Sequence, residues 1–193
     1  PLGRAALTAE FGRQAPVVLE IGIGRGEALL AMARADPATD VIGVDVHTPG
    51  IAGVVLGITE HDLTNVRLVH GDALELLDRV APATFAGIRV YFPDPWPKAK
   101  QRRKRLINPP NLARLVGVLE PGGFLHLATD IVDYADQMEA VCSAHPELTG
   151  GPIPRPDWRP ETRYERRGLD AGRTVTDLWY VRQPADRSSV PSR

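Results

Sequence analysis

The feature that most constrains the fold is an alternation of short apolar runs with segments of helical periodicity. The predicted strands cover residues 17–21, 41–46, 66–70, 88–92, 124–128 and, after a long loop, 175–181. The predicted helices cover residues 27–35, 49–60, 73–80, 111–119 and 131–145. Strands that alternate with helices are typical of βαβ units. We therefore predict a single α/β domain, Rossmann-like, with a mostly parallel, doubly wound sheet.

The domain boundaries follow from where this alternation starts and stops. We predict that the domain spans residues 17–182. Residues 150–160 hold four prolines and two glycines and are predicted to form a loop. Residues 183–193 are expected to form a disordered polar tail, and residues 1–16 are interpreted as the remnant of a longer N-terminal segment.

The two halves of the chain differ in charge. Residues 1–97 carry 7 basic and 12 acidic side chains, whereas residues 98–193 carry 16 basic and 12 acidic ones. We therefore expect nucleic acid to contact the second half, and a ligand that is not an anion to bind the first. No apolar run approaches the roughly 18 residues of a membrane helix, and Cys142 has no second cysteine to pair with. A cytoplasmic protein without a membrane partner is expected.

An acidic residue lies at or beside the carboxyl end of five predicted strands: Glu20, Asp45, Asp72, Asp94 and Asp130. Ligands of open parallel sheets bind beyond the carboxyl ends of the strands, so these side chains are expected to share a site. Strand-end turn chemistry is the alternative for any one of them. The five histidines are scattered without metal-ligand spacing, and no metal is expected.

The glycine loop after the first strand indicates which ligand binds there. Its spacing is Gly22-x-Gly24-x-Gly26, not the Gly-x-Gly-x-x-Gly of dinucleotide sites. Glu20, two residues before it, would repel a pyrophosphate but suits a cationic or zwitterionic ligand. Asp45 is placed to bind a ribose, and Asp72 to accept from an adenine amino group. This pattern favours S-adenosylmethionine over a nicotinamide dinucleotide.

The fourth predicted strand ends in three prolines, at positions 93, 95 and 97. Because proline removes a backbone donor and disfavours helix before it, a stiff loop is expected that carries Asp94, Trp96 and Lys98. Residues 98–105 then hold six cations in eight positions. A carboxylate and an aromatic ring beside such a run are typical of a site for a base attached to a polyanion. The alternative for the basic run is a solvated helix surface.

Five segments carry a resemblance to a known family: VLEIGIG at 18–24, GVDVHTPG at 43–50, FPDPWPK at 92–98, ATD at 128–130 and TRYERRG at 162–168. In this order they resemble the bacterial tRNA (guanine-N7)-methyltransferases, over about residues 17–182. The resemblance implies a class I S-adenosylmethionine-dependent methyltransferase fold. It also implies S-adenosylmethionine as donor and a guanosine in the tRNA variable loop as acceptor.

The resemblance further implies a set of site residues. Donor contacts are expected from Glu20, Gly22, Gly24, Asp45, Asp72 and Asp94, and Asp94 is also the implied catalytic residue. Substrate contacts are expected from Lys98, Asp130, Thr162, Arg163, Tyr164 and Glu165. RNA contacts are expected from Lys100, Arg102, Arg103, Lys104 and Arg105. The family usually has glutamate where Asp45 stands, and it carries an arginine-rich segment before the first strand that is absent here.

The expected chemistry agrees with these residues. The N7 atom of guanine carries a lone pair and no proton, so its attack on a methyl sulfonium needs placement and tolerance of positive charge rather than a general base. We expect a monomer or a homodimer that binds tRNA. Two alternatives stay open: a class I methyltransferase acting on another RNA base or a small amine, and a non-catalytic RNA-binding relative.

Overall fold

The structure, a computed structural model, describes residues 1–184, and its strands form one seven-stranded sheet. The strands are β1 (Val17–Ile21), β2 (Asp40–Asp45), β3 (Val66–His70), β4 (Phe85–Tyr91), β5 (Leu119–Thr129), β6 (Leu148–Ile153) and β7 (Thr176–Arg182). Their order is β3-β2-β1-β4-β5-β7-β6, with β7 antiparallel to both neighbours and the other strands parallel. The predicted α/β fold with a mostly parallel sheet is confirmed.

Helices cover both faces of the sheet. They are α1 (Arg4–Phe11), α2 (Glu27–Ala35), α3 (Thr48–Glu60), α4 (Ala73–Leu77), α5 (Pro109–Val118), α6 (Val132–Ser143) and α7 (Arg163–Asp170), with a 3₁₀ helix at Ala99–Lys104. Leu7, Leu77, Leu115 and Met138 place α1, α4, α5 and α6 in the larger core, on one face. Leu29 of α2 and Val54 of α3 pack on the other face. This two-sided cover makes the sheet doubly wound.

The central strand β1 explains why its sequence reads as a continuous apolar run. All five of its residues are buried, because parallel strands in the middle of such a sheet are covered on both faces. Leu19 belongs to the larger core. Glu20, its neighbour, points to the opposite face and is the one charged residue of the strand. A carboxylate is thereby placed inside the second face, next to the glycine loop.

The glycine loop after β1 lies directly against α3. A Cβ on Gly50 would overlap the carbonyl oxygen of Gly24, and a Cβ on Gly26 would overlap the Val54 side chain. Gly26 also has a φ of +76°, which other residues adopt at a cost. His47 caps α3 by accepting a hydrogen bond from the Gly50 N–H at 3.2 Å. These close approaches fix the loop at the carboxyl edge of the sheet.

Several elements differ from the sequence-based expectation. The residues expected to be only a loop, 150–160, begin inside β6, because Leu148 to Ile153 pair with β7. Helices α1 and α7 were not predicted, and the turn expected at 120–123 is an irregularity within β5, between its pairings at Leu119 and Phe124. The tail predicted at 183–193 lies almost wholly outside the described residues. The boundaries proposed for residues 1–16 and 17–182 stay predictions, although Leu7 of α1 is buried in the core.

None of the helices within residues 1–184 combines the length and hydropathy that a membrane crossing requires. The same residues contain no group of three histidine, cysteine, aspartate or glutamate side chains placed to hold a metal ion. The assembly state and the cytoplasmic location stay predictions.

Candidate functional site

A cleft of about 680 Å³ opens at the carboxyl edge of the sheet, over β1, β2, β3 and β4. Four of the five strand-end carboxylates line it, together with two glycines of the loop: Glu20, Asp45, Asp72, Asp94, Gly22 and Gly24. Lys104, Trp96 and residues 162–164 line the cleft as well. The structure therefore brings the predicted donor residues and the predicted catalytic residue into one cleft.

Asp45 ties the glycine loop to the end of β2. Its Oδ2 accepts a hydrogen bond from the Gly24 N–H at 2.8 Å, and its Oδ1 accepts one from the His47 N–H at 2.8 Å. Gly22 has a φ of +77°, and within residues 1–184, its two chain neighbours aside, no residue has an atom within 4 Å of the position that a Cβ would take there. The loop backbone is therefore open toward the cleft, so a ligand can approach it closely.

Glu20 is a buried carboxylate with few neighbouring donors or cations to offset its charge. It is 3% exposed, and no donor within residues 1–184 hydrogen-bonds its Oε2. The nearest cation, Nη1 of Arg89, lies 4.0 Å from Oε2. Burial raises the pKa of Glu20 to about 7, and the Arg89 charge opposes this shift only in part. A buried acceptor without a donor is a natural place for a ligand ammonium group.

Asp72 combines two roles at the end of β3. Its Oδ1 accepts hydrogen bonds from the Leu74 N–H at 2.7 Å and the Glu75 N–H at 3.3 Å, so it caps α4. The turn chemistry considered as the alternative for these acids is therefore present at Asp72. The residue is also exposed and lines the cleft, so the cap does not remove it from the candidate site.

The loop after β4, residues 92–98 and here called the proline loop, has an unusual backbone conformation. Phe92 and Trp96 have φ values of 50° and 42°, in the left-handed region that non-glycine residues rarely adopt. Asp94, between them, is exposed and lines the cleft, and within residues 1–184 it has no hydrogen-bond or ion-pair partner. Such backbone strain costs roughly 1–3 kcal/mol per residue and is concentrated at functional sites. The surrounding structure must therefore hold this loop in place.

Most of the basic run is exposed beside this loop. Residues 99–104 form the 3₁₀ helix, and Lys98, Lys100, Arg103 and Lys104 face solvent. The Nζ of Lys104 lies 4.7 Å from the centre of the Trp96 ring, a cation–π contact that fixes one side chain against the other. Arg102 is half-exposed and pairs with Asp133 at 3.0 Å.

Arg105 corrects the prediction that the whole run contacts RNA. Its side chain is fully buried, and its Nε donates to the carbonyl oxygen of Pro95 at 2.7 Å. Its Nη2 donates to Asp133 Oδ2 at 2.7 Å and its Nη1 to Gln137 Oε1 at 2.9 Å. A guanidinium enclosed by these partners has no surface to offer a phosphate.

Residues 154–164, here called the strap, lead from β6 into α7, and the last three of them line the cleft. Thr162 caps α7 by accepting from the Glu165 N–H at 3.2 Å, and the Arg163 N–H donates to Glu27 Oε2 at 2.8 Å. The half-exposed Tyr164 lies next to Gly24, since a Cβ on that glycine would be 3.5 Å from the Tyr164 ring. Thr162, Arg163 and Tyr164 all line the cleft, and their contact with substrate stays a prediction.

Two predicted substrate residues lie elsewhere. Glu165 is 1% exposed and receives hydrogen bonds from Arg159 at 2.6 and 2.9 Å, so it is buried under the strap. Asp130 lies in a neighbouring pocket, where its Oδ2 accepts from Arg173 at 2.7 Å. The strand-end rule therefore brings four acids together and fails for Asp130, which is placed beyond the cleft.

A buried polar network beneath the strap was missed by the sequence analysis. Arg159 is fully buried and donates to Asp177 at 2.7 and 2.9 Å as well as to Glu165. His126 Nε2 lies 2.8 Å from Asp177 Oδ1, and His126 Nδ1 lies 2.9 Å from the Tyr91 hydroxyl. Because a carboxylate only accepts, Nε2 carries the proton and Tyr91 donates to Nδ1.

The pKa directions in this network are consistent with that assignment. Burial lowers the pKa of His126 and raises the pKa of Tyr91, so both side chains are neutral near pH 7. Burial opposes the ionisation of Asp177, but the hydrogen bonds from His126 and Arg159 outweigh it and lower the pKa of Asp177. The one sign of this network in the sequence is a histidine, His126, inside an otherwise apolar strand.

Comparison with known proteins agrees with the geometry. A family model described as a putative methyltransferase matches residues 14–178. A tRNA (guanine-N(7)-)-methyltransferase of Thiobacillus denitrificans is 47% identical over 92% of this chain and 80% of its own length. Similar enzymes of Streptomyces avermitilis and Streptomyces coelicolor are 48% and 49% identical over 94% and 89% of this chain. The chain spans 65% and 66%, just under two thirds, of those two relatives.

Two solved methyltransferase structures have a similar fold. The 16S rRNA methyltransferase KamB has a TM-score of 0.66 at 18% identity, over 95% of both chains. The aminoglycoside resistance methyltransferase NpmB1 has a TM-score of 0.61 at 21% identity, over 94% of both chains. At these identities the likeness concerns the fold alone. The chain has the class I methyltransferase fold and belongs to the bacterial tRNA (guanine-N7)-methyltransferase family.

Proposed function

We propose that this protein transfers a methyl group from S-adenosylmethionine to the N7 atom of a guanosine in the variable loop of tRNA. The observation that carries the proposal is the convergence of Glu20, Asp45 and Asp94 on one cleft with an exposed basic strip at its rim. Family membership supports the same reaction, because the curated relatives are named for it.

The donor half of the cleft fits S-adenosylmethionine. The Oε2 of Glu20 is buried without a hydrogen-bond donor in residues 1–184, which suits the amino group of the donor. Asp45 stands where a ribose would be held, and the open backbone at Gly22 leaves room for close approach. Within residues 1–184, Arg25 is the one lysine or arginine among the cleft residues that follow β1, β2 and β3, so a pyrophosphate would find little to pair with. When bound, S-adenosylmethionine supplies a methyl group on a sulfonium, a strong electrophile.

The residues of the acceptor half serve placement and charge. Guanine N7 has a free lone pair, so no side chain needs to remove a proton from it. The exposed carboxylate of Asp94 is proposed to accept from the Watson–Crick edge of guanine and to offset the positive charge that develops on the purine. Trp96 and Tyr164, which also line the cleft, offer aromatic surfaces to exclude water and hold a flat base.

The same chemistry assigns the remaining predicted residues. Lys98, Lys100, Arg103 and Lys104 are proposed to contact tRNA phosphates, and half-exposed Arg102 can exchange its partner Asp133 for one. Thr162 and Arg163 are proposed to border the nucleoside. Asp72 is proposed to meet the adenine end of the donor with the carboxylate edge that the α4 cap leaves free.

A product assay tests the proposal. Purified protein is incubated with unmodified tRNA and donor labelled on its methyl group, and the tRNA is digested to nucleosides. We expect labelled 7-methylguanosine from the variable loop, with donor binding visible by calorimetry. A different labelled nucleoside, or a labelled small amine, would replace the proposal with the alternative acceptors. Absence of donor binding would make the protein a non-catalytic relative.

A further inference from the structure

Arg105 connects the proline loop to the core of the protein. Its Nε donates to the carbonyl oxygen of Pro95 at 2.7 Å, and Pro95 lies between Asp94 and Trp96. Proline has no N–H, so this part of the loop has few backbone groups with which to anchor itself. The hydrogen bond from the buried guanidinium therefore anchors the loop.

The opposite side of the guanidinium is held by α6. Asp133 Oδ2 and Gln137 Oε1 accept from its two terminal nitrogens at 2.7 and 2.9 Å. The Tyr134 ring lies beneath it, with its centre 4.6 Å from the guanidinium carbon. Tyr134 is itself fully buried in the core. Since the guanidinium is a rigid planar fork, these contacts fix the position of Pro95 relative to α6.

We propose that Arg105 is a positioning residue, which holds residues 93–96 so that Asp94 faces the donor half of the cleft. This inference rests on the proposed function, because Asp94 is the group whose placement matters. The loop needs such support, since Phe92 and Trp96 on either side of Asp94 both have positive φ values. Without Arg105 the strained loop relaxes, and the carboxylate leaves the position that the transition state requires.

The carboxylate of Asp133 connects Arg105 to Arg102, an exposed member of the basic run. Its Oδ2 accepts from Arg105 at 2.7 Å and from Arg102 at 3.0 Å. Arg105 is buried, whereas Arg102 is half-exposed and free to turn toward solvent. Removal of Asp133 therefore has two opposite consequences: the anchor loosens, and Arg102 becomes available to a phosphate.

The first test compares Arg105→Lys with Arg103→Gln, an exposed neighbour in the same strip. Lysine keeps the charge but cannot reach Pro95 and Asp133 together, so we expect kcat at saturating tRNA to fall by about 10–100-fold. Donor affinity and the salt dependence of tRNA binding should not change. Arg103→Gln should instead make the slope of log K against log salt smaller by about 0.7–0.9. Arg34→Gln, which removes an exposed cation of α2 outside the cleft, should leave both kcat and the slope unchanged.

The second test uses Asp133→Ala, whose side chain is 41% exposed, so the protein is expected to fold. We expect slower turnover together with tRNA binding as tight as, or tighter than, that of the wild type. A simple RNA-contact role for this region predicts weaker binding instead. If Arg105→Lys does not fold, Asp133→Ala decides the question, because the positioning role predicts a lower kcat without weaker tRNA binding.

Failure of this inference can be told apart from failure of the proposed function. Wild-type protein that forms no 7-methylguanosine would refute the function before any variant is compared. An active wild type with unchanged kcat in Arg105→Lys and Asp133→Ala would refute only the positioning role.

Discussion

The two sides of the cleft are built in different ways. The donor side consists of short turns after β1, β2 and β3, fixed by backbone contacts such as the Gly24 N–H on Asp45. The acceptor side consists of the proline loop and the strap, both irregular, and each held by one fully buried arginine. Arg105 anchors the proline loop, and Arg159 anchors the strap to β7 and α7.

This difference means that the two sides depend on different kinds of interaction. On the donor side many backbone hydrogen bonds hold the turns in place, so no single substitution removes this support. On the acceptor side each segment depends on one buried guanidinium. Arg159 joins two buried carboxylates. Arg105 joins a backbone carbonyl, a carboxylate and a side-chain amide. The acceptor side should therefore be more sensitive to single substitutions, and the following changes test that expectation in order of decreasing effect.

Arg159→Met should have the largest effect on stability. It leaves the carboxylates of Glu165 and Asp177, which are 1% and 2% exposed, without their main cation. Removal of one partner of a buried ion pair costs about 3–5 kcal/mol, to be measured by urea unfolding. Arg166→Met is the matched control, because Arg166 pairs with Glu161 at the surface and its removal should change the stability far less than that of Arg159. Equal stability of the two variants would contradict the special role of Arg159.

Glu20 is the one donor-side residue whose substitution should have a large effect, because it is a buried carboxylate. Burial raises its pKa in the folded protein to about 7, against 4.5 for an unperturbed glutamate. A raised carboxyl pKa stabilises the folded state below pH 4.5, and this contribution is lost as pH rises to 7. The lost part is on the order of 3 kcal/mol. We expect Glu20→Gln to flatten the decline in the free energy of unfolding between pH 5 and 8.

The control for this experiment is Glu75→Gln, which removes an exposed carboxylate from α4. Its unfolding curve should keep the wild-type pH dependence. Glu20→Gln should also bind S-adenosylmethionine more weakly than the control, because the buried acceptor is changed. A Glu20→Gln protein with the wild-type pH dependence would show that Glu20 is ionised throughout this range.

Asp94→Asn tests the proposed electrostatic role at the acceptor side. The substitution keeps the shape of the side chain and removes its charge, so we expect kcat to fall by about 100-fold, similar to the loss of one oxyanion-hole donor. The reduction should be the same across the pH range, measured with tRNA from pH 6 to 9. Activity that recovers as pH rises would indicate that Asp94 normally removes a proton. Asp36→Asn, at the exposed C-cap of α2, is the control.

The same division explains what the sequence could predict. The helix at 27–35 and the strands at 17–21 and 66–70 have the predicted bounds, because apolar periodicity and turn residues determine them locally. The donor carboxylates followed from the rule for strand ends. This rule depends on the order of the strands along the chain and not on distant side chains.

The acceptor side could not be predicted in this way. Arg105 resembles the other cations of its run, and its burial depends on Asp133, 28 residues further along the chain. Helix α7 was missed because its buried residues are Glu165 and Gly168, which give no apolar periodicity. The neutralising partner of Glu165 is Arg159, in a segment that reads as loop. Hydrogen-bonded pairing between charged side chains, which apolar periodicity does not record, decided the placement of Arg105 and Glu165.

The smallest expected effect concerns the exposed cations at the rim. Lys98 and Lys100 face solvent, and their removal exposes no buried partner, so Lys98→Gln/Lys100→Gln should leave stability and kcat near the wild-type values. If each side chain neutralises one phosphate, tRNA binding should lose a salt slope of roughly 1.5. Arg34→Gln, an exposed cation in the last turn of α2, is the control, since α2 carries it toward the opposite edge of the sheet. An unchanged slope in the double variant would remove these two residues from the RNA interface. The phosphate contacts on the acceptor side would then have to come from Arg103, Lys104 and the strap.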